Sequence, residues 1–353
     1  EKHIQAHRPF SLLELAPDGS KIVLWVGPAL DSHEDKMFHP KSLYQELMDN
    51  VGLIPPVTTN GASGKSEAFV EGFLLESWRV YDQWQADAIN YLIENKGYEV
   101  VFSHLHNVDA CGHLFWYLSK DRPHIGNHGA LYEEAIEWAY RCTDRYIGSF
   151  LHYLDEGWTI MVVSDHAQVS PEHEPPMLAD SGISVRVMQE LGLTALKKDE
   201  NGNELHEIDW EHTLAIDNGN HILVNLKGRY EHGIVEPEDQ YEVEEQLMTD
   251  LYGYKDKVTG KRIVAMALRN RDAALLGLSG PECGDIVYWT AEGYNYDHCD
   301  SLSTTWGDAD TSVSPIFIAA GPGIKPGYTE RVIRQVDFAP TIAVLGGVRM
   351  PAQ

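Results

Sequence analysis

Val100-Val101-Phe102-Ser103-His104-Leu105-His106-Asn107-Val108-Asp109-Ala110-Cys111-Gly112-His113 couples an apolar run to a cluster of imidazole and carboxylate. The run reads as a buried strand, and Asp109 and His113 fall just beyond its end. Two further segments repeat the arrangement. Trp158-Thr159-Ile160-Met161-Val162-Val163-Ser164 leads into Asp165-His166, and Asp285-Ile286-Val287-Tyr288-Trp289 precedes Tyr296-Asp297-His298. In open α/β sheets the reactive groups gather beyond the carboxyl ends of the strands. Strand ends carrying only carboxylate and imidazole are the donor set of a borderline dication, zinc above all. Asp109, His113, Asp165, His166 and His298 are therefore the candidate metal ligands.

Around these segments, strands and helices alternate. Lys21 to Val26 reads as an early strand, with Asp18-Gly19-Ser20 as a hairpin turn before it. Pro40 to Asp49, Glu76 to Asn95, Leu131 to Leu154, 237–252 and Val336 to Leu345 have helical spacing. Strands are expected at 100–109 and 158–164 as well, the core resumes at 221–229, and 314–324 is its last unit before the terminal helix. The alternation predicts an α/β fold with a mostly parallel central sheet and helices on both faces. Residues 1–353 are read as one domain, with 169–215, which lose clear periodicity, as a small inserted cap.

Bulk properties narrow the function. With 54 acidic and 27 basic residues the formal charge is -27, which excludes a nucleic-acid scaffold binder because counterion release needs surface Lys and Arg. A small phosphorylated substrate remains compatible, since bound dications reverse the local field. No apolar run is long enough to span a bilayer. Cys111, Cys142, Cys283 and Cys299 form no C-x-x-C pair, so a zinc ribbon or thioredoxin motif is excluded. They fix no compartment: cytoplasmic, periplasmic and secreted all fit. The chain opens at Glu1 with neither Met nor a signal peptide, so a processed or truncated amino terminus is expected.

Some motifs are weaker than they look. Gly64-Lys65-Ser66 imitates a phosphate loop, but the first glycine of G-x-x-x-x-G-K-[ST] would fall on Thr59 and no good strand precedes it. His173 reads as a loop histidine. Trp78, Tyr81, Trp84 and Tyr91 could stack on a base, yet their helical spacing favours core packing. His106 and Asn107, beside the first ligand, are candidate substrate contacts, with plain strand-end hydrogen bonding as the competing role.

Taken together the chain resembles the alkaline phosphatase superfamily, in its bacterial type I phosphodiesterase/nucleotide pyrophosphatase branch. The likeness is carried by His106-Asn107-Val108-Asp109 with His113, by Ser164-Asp165-His166, and by Val224-Asn225-Leu226-Lys227-Gly228-Arg229 with Gly233-Ile234-Val235. Ala320-Gly321-Pro322-Gly323-Ile324-Lys325 and Val336-Asp337-Phe338-Ala339-Pro340-Thr341-Ile342 extend it, as structural strings. The resemblance implies that Asp109, His113 and His298 hold one zinc and that Asp165 and His166 help hold a second, with manganese as the alternative metal. It implies hydrolysis of phosphodiester or pyrophosphate bonds in nucleotide-like or other small substrates, through a phospho-enzyme on a Thr or Ser.

The chain departs from the family in two ways. Ala167 and Cys299 stand where the family has Gly after Asp-His, and Trp306-Gly307 offers a rival register for His298. No strand carrying Asp-Gly and followed by a hydroxyl nucleophile occurs near residues 1–30, and Thr58, Thr59 and Ser66 lie in a Pro-rich loop. The nucleophile is thus expected outside this segment, on an N-terminal fragment of the same protein. The other readings are a phosphomonoesterase, phosphonate hydrolase or phosphomutase of the same superfamily, and a non-catalytic metal-binding protein that keeps the fold.

Overall fold

The computed structural model describes residues 6–27, 29–31, 38–55, 70–119, 129–167, 185–257, 259–291, 315–328 and 333–350. The chain divides into two compact units, residues 1–163 with 317–353 and residues 164–316.

The first unit is built on helices. Strands β1 (Ala6–His7) and β4 (Leu30–Asp31) pair, and between them β2 (Phe10–Leu15) and β3 (Ile22–Val26) form the expected hairpin. Its turn is closed by Asp18, whose Oδ1 accepts from the Ser20 amide at 3.0 Å. Helix α1 spans Ser42–Asn50, and a π turn at Val70–Leu74 runs into α2, Leu75–Lys96. Glu76 in the first turn of α2 and Lys96 in the last complement its dipole. Lys96-Gly97 ends the helix, the Gly97 amide donating to Ile93 O. Helices α3 (Asn107–Ser119) and α4 (Gly129–Gly148) follow. Tyr132, Ala135, Ala139, Cys142 and Tyr146 recur at three- and four-residue intervals and form the buried stripe of α4. They pack with Val70, Leu74, Trp78, Cys111 and Phe115 into one core, on which Leu13 and Trp25 of the hairpin lie.

The α2 aromatics are packing residues. Trp78 is buried, the Trp84 indole donates to Gly52 O at 3.0 Å, and the Tyr91 hydroxyl donates to Glu46 at 2.9 Å. After a 3-10 turn at Leu151–Leu154, β5 (Ile160–Val163) pairs antiparallel with β12 (Phe317–Ala320). Gly321, with φ of +121°, closes the turn after β12; a Cβ there would lie 2.4 Å from Trp158 O, so only glycine fits. The unit ends with α7, Phe338–Leu345.

The second unit carries α5 (Val185–Glu190), the hairpin β6 (Leu196–Lys198) and β7 (Glu204–Ile208), and a four-stranded sheet. In order across the sheet its strands are β10 (Val264–Arg269), β11 (Ile286–Thr290), β9 (His221–Val224) and β8 (Ala215–Asp217). Helix α6 (Gln240–Gly253) packs on β10. Met188, Ile222, Leu247, Leu251, Ile286 and Tyr288 form the heart of its core. The Val224-to-Val235 string holds a turn together: Asn225 Nδ2 donates to Thr213 O at 3.0 Å and to Trp210 O and His232 O at 3.1 Å. A Cβ at Gly233 would come within 2.1 Å of Leu226 O. Arg229 reaches Asp285 at 2.7 Å, and Asp285 also accepts from the Val224 amide at 2.8 Å.

Two expectations are corrected. The mixed α/β character holds, but every pairing between the described strands is antiparallel, not mostly parallel. Continuous apolar runs report burial on both faces, and β11, almost wholly buried, achieves that in an antiparallel sheet. Second, the described residues 100–106 form no strand. Val100 is 72% and Phe102 88% exposed, because an apolar run becomes a strand only when a neighbour supplies its ladder. Described residues 185–215 of the expected cap belong to the second unit. Residues 169–184, which include His173, and residues 56–69, which include Gly64-Lys65-Ser66, lie outside the described residues.

Candidate metal centre

Asp109 stands in the first turn of α3, where the helix dipole favours a carboxylate. The helix starts as the Ala110 amide donates to His106 O at 2.9 Å. His106 then turns back on the helix, its Nε2 lying 2.6 Å from Asp109 Oδ2, with the Asp109 side chain 19% exposed and that of His106 45%. The His104 ring lies beside the His106 ring, with centroids 5.2 Å apart. His113 follows one turn later on the same helix, and its side chain lies outside the described residues.

Asn107 is buried, at 3% exposure. Its Nδ2 donates to Asp82 Oδ2 at 2.7 Å, and its Oδ1 accepts from the Val108 amide at 2.8 Å and from Thr143 Oγ1 at 3.2 Å. Of the two expected substrate contacts, His106 is thus the exposed one. Burial raises the Asp82 carboxyl to about 7, against the opposing pull of Arg145 and of the Asn107 hydrogen bond. Burial alone pushes the Cys111 thiol far above its ordinary range, which makes it an inert core group.

The second cluster follows β5. Asp165 is 81% exposed by side chain and His166 17%, with His166 Nε2 at 3.9 Å from Asp165 Oδ1. The His166 Nδ1 lies 3.0 Å from Ala167 O, which leaves Nε2 as the ring nitrogen suited to a ligand. The backbone carbonyl of His166 accepts from the Ser164 hydroxyl. His298 and the competing Trp306 lie outside the described residues. Among the described residues no group of three or more His, Cys, Asp or Glu is placed to hold a metal ion. The structure brings together His106 with Asp109, and Asp165 with His166.

Asp82 and Thr143, which grip Asn107, were not singled out from sequence. Their signal was available: Asp82 is a carboxylate on the buried stripe of α2, four residues from both Trp78 and Ala86.

The chain belongs to the type I phosphodiesterase/nucleotide pyrophosphatase family, whose sequence profile matches residues 71–313. That family is part of the alkaline phosphatase superfamily. All five candidate ligands fall inside the match. The chain is also 26% identical over 245 residues to a calcium-transporting ATPase of Myroides odoratus, across 65% of this chain and 42% of that protein. It therefore spans less than half the length of that relative. No solved structure matches. No helix among the described residues is long and apolar enough to cross a membrane.

Proposed function

We propose that the protein hydrolyses phosphodiester or pyrophosphate bonds in nucleotide-like or other small phosphorylated substrates, with two divalent ions, zinc or alternatively manganese. The observation that carries this reading is the family match over residues 71–313, which encloses Asp109, His113, Asp165, His166 and His298. The donors fit such ions in chemistry: carboxylate and imidazole alone, with the His166 ring oriented through its Nδ1. Asp109, His113 and His298 would hold one ion, and Asp165 and His166 would help hold the other. When bound, the pair supplies positive charge against the negative charge that develops on the phosphoryl oxygens.

The residues of this chain do the rest by position. The helix terminus under Asp109 and the His106 pair fix one carboxylate in place, and His106 is exposed enough to donate to a phosphate oxygen. In this reading a Thr or Ser hydroxyl outside residues 1–353 attacks phosphorus and displaces the leaving group. Water then cleaves the phospho-enzyme and regenerates the hydroxyl.

Metal content tests this directly. Purified residues 1–353 dialysed against zinc should retain it, and Asp109→Asn and Asp165→Asn should each lose a share. Retention of no zinc or manganese by the unmodified chain would refute the reading. Residues 1–353 alone are expected to give no turnover of a bis-aryl phosphodiester, and activity should appear in a gene product that restores the Asp-Gly and hydroxyl unit. A panel of monoesters, diesters and phosphonates assigns the reaction within the superfamily.

A further inference from the structure

The segment 103–107 has no strand ladder among the described residues, yet it delivers His106 and Asp109. Two pairs of side chains, each spaced i, i+3 on one of two facing helices, hold it. Asp82 of α2 and Thr143 of α4 grip Asn107. One helical step further along, Gln85 of α2 donates to Ser103 Oγ at 2.9 Å and to His104 O at 3.0 Å, while Tyr146 of α4 hydrogen-bonds the same Ser103 hydroxyl. Residues three apart on a helix share a face, so α2 and α4 present matching polar steps to one strip of backbone.

Asp82 is the costly member. It is 4% exposed, and its Oδ1 has no hydrogen-bond partner among the described residues. An uncharged side chain would fasten Asn107 with less desolvation. We propose that Asp82 is a positioning residue for the candidate metal centre: through Asn107 it fixes the first turn of α3, and with it the direction in which Asp109 and His106 present their polar atoms. The inference rests on the reading of Asp109 as a ligand given above. Simple fastening of the helix bundle is the competing role, and it would register in stability alone.

The test uses residues 1–353 with two measurements, backbone hydrogen exchange at Val108 to Cys111 without metal, and zinc affinity by competition with a chromogenic chelator. Asp82→Ala should speed exchange in that turn and weaken zinc binding about tenfold or more, the scale of lost supporting contacts around a metal ligand. Asp82→Asn keeps an acceptor for Asn107 and should stay within about threefold of the unmodified chain in zinc affinity. Leu74→Val, in the same core but making none of the hydrogen bonds to Asn107, should lower the melting temperature and leave zinc affinity unchanged. If Asp82→Ala does not fold, Thr143→Val removes the other grip at constant volume and should still weaken zinc binding. Unaltered exchange or unaltered zinc affinity in the variant that folds overturns the inference, as does equal weakening by Leu74→Val. Failure of the unmodified chain to bind zinc overturns the metal reading itself, and this inference with it, an outcome distinct from the others.

Discussion

Asp82→Asn should stabilise the protein at alkaline pH and confer little at acid pH. The Asp82 carboxyl is raised from 3.8 to about 7 in the folded chain by burial. Because the folded value lies above the unfolded one, the folded state holds the proton more tightly. The stability this provides is complete below about pH 4 and is lost as pH rises through about 7. Three units at roughly 1.4 kcal/mol each give a loss of about 4 kcal/mol across that window. This is a large share of a typical folding free energy of about 5–15 kcal/mol. A carboxamide does not titrate and escapes the loss. Urea unfolding followed by tryptophan fluorescence is best run from pH 5.5 to 8.5, clear of the pI of 4.9 where solubility is poorest. Over that range the gap between variant and unmodified chain should widen by about 2 kcal/mol in favour of the variant, with the rise complete near pH 8. A gap that stays constant, or widens the other way, would refute the placement of an ionisable group at the buried face of α2.

Three further perturbations test other parts of the fold and site. Gly233→Ala places a carbon against Leu226 O, where a Cβ would sit 2.1 Å away, so the second unit should lose about 3 kcal/mol or fail to fold; a melting temperature within 2 degrees of the original would contradict this. Asp285→Ala strips the Val224 amide and Arg229 of their acceptor and should cost about 2–3 kcal/mol, less than a fully buried pair because the Arg229 side chain is 38% exposed. Without metal, Asp109→Asn should cost about 1 kcal/mol through its His106 pair and the α3 dipole, while Asp165→Asn should change stability by under about 0.5 kcal/mol. Equal effects in thermal unfolding would show that the two carboxylates sit in like surroundings.

Helices were the most legible part of the fold. The stripe Tyr132, Ala135, Ala139, Cys142, Tyr146 and the stop at Lys96-Gly97 are local signals; α2 forms close to its expected bounds, while the helix expected to run to Leu154 ends at Gly148 and gives way to a 3-10 turn. Strand pairing was not legible. Ile160 to Val163 is a strand as expected, but its partner Phe317 to Ala320 lies over 150 residues away and runs antiparallel, and nothing in either apolar run encodes direction. Val100 to Phe102 looked equally strand-like and is not one. At the candidate site the residue types suggested a metal reading, and the structure places Asp109 at a helix start and Asp165-His166 after a strand end. The Asn107 grip escaped notice because it depends on Asp82 and Thr143, 25 and 36 residues away in sequence. Long-range polar contacts leave no period to read, only a charged residue out of place on a buried stripe.

The two halves of the candidate centre are held by different physics. Asp109 belongs to a helix start that is anchored by buried polar groups and paired with His106, so its geometry depends on polar side chains that α2 and α4 supply to Asn107. Asp165 and His166 follow a two-stranded antiparallel ribbon, and their geometry depends on a strand end and a turn. Loss of the grip on Asn107 can therefore reach Asp109 without touching Asp165. This makes the helical half the place where supporting residues matter most. Position 82 matters to the site as the acceptor that holds Asn107, and its carboxylate fills that role at a cost in stability at neutral pH.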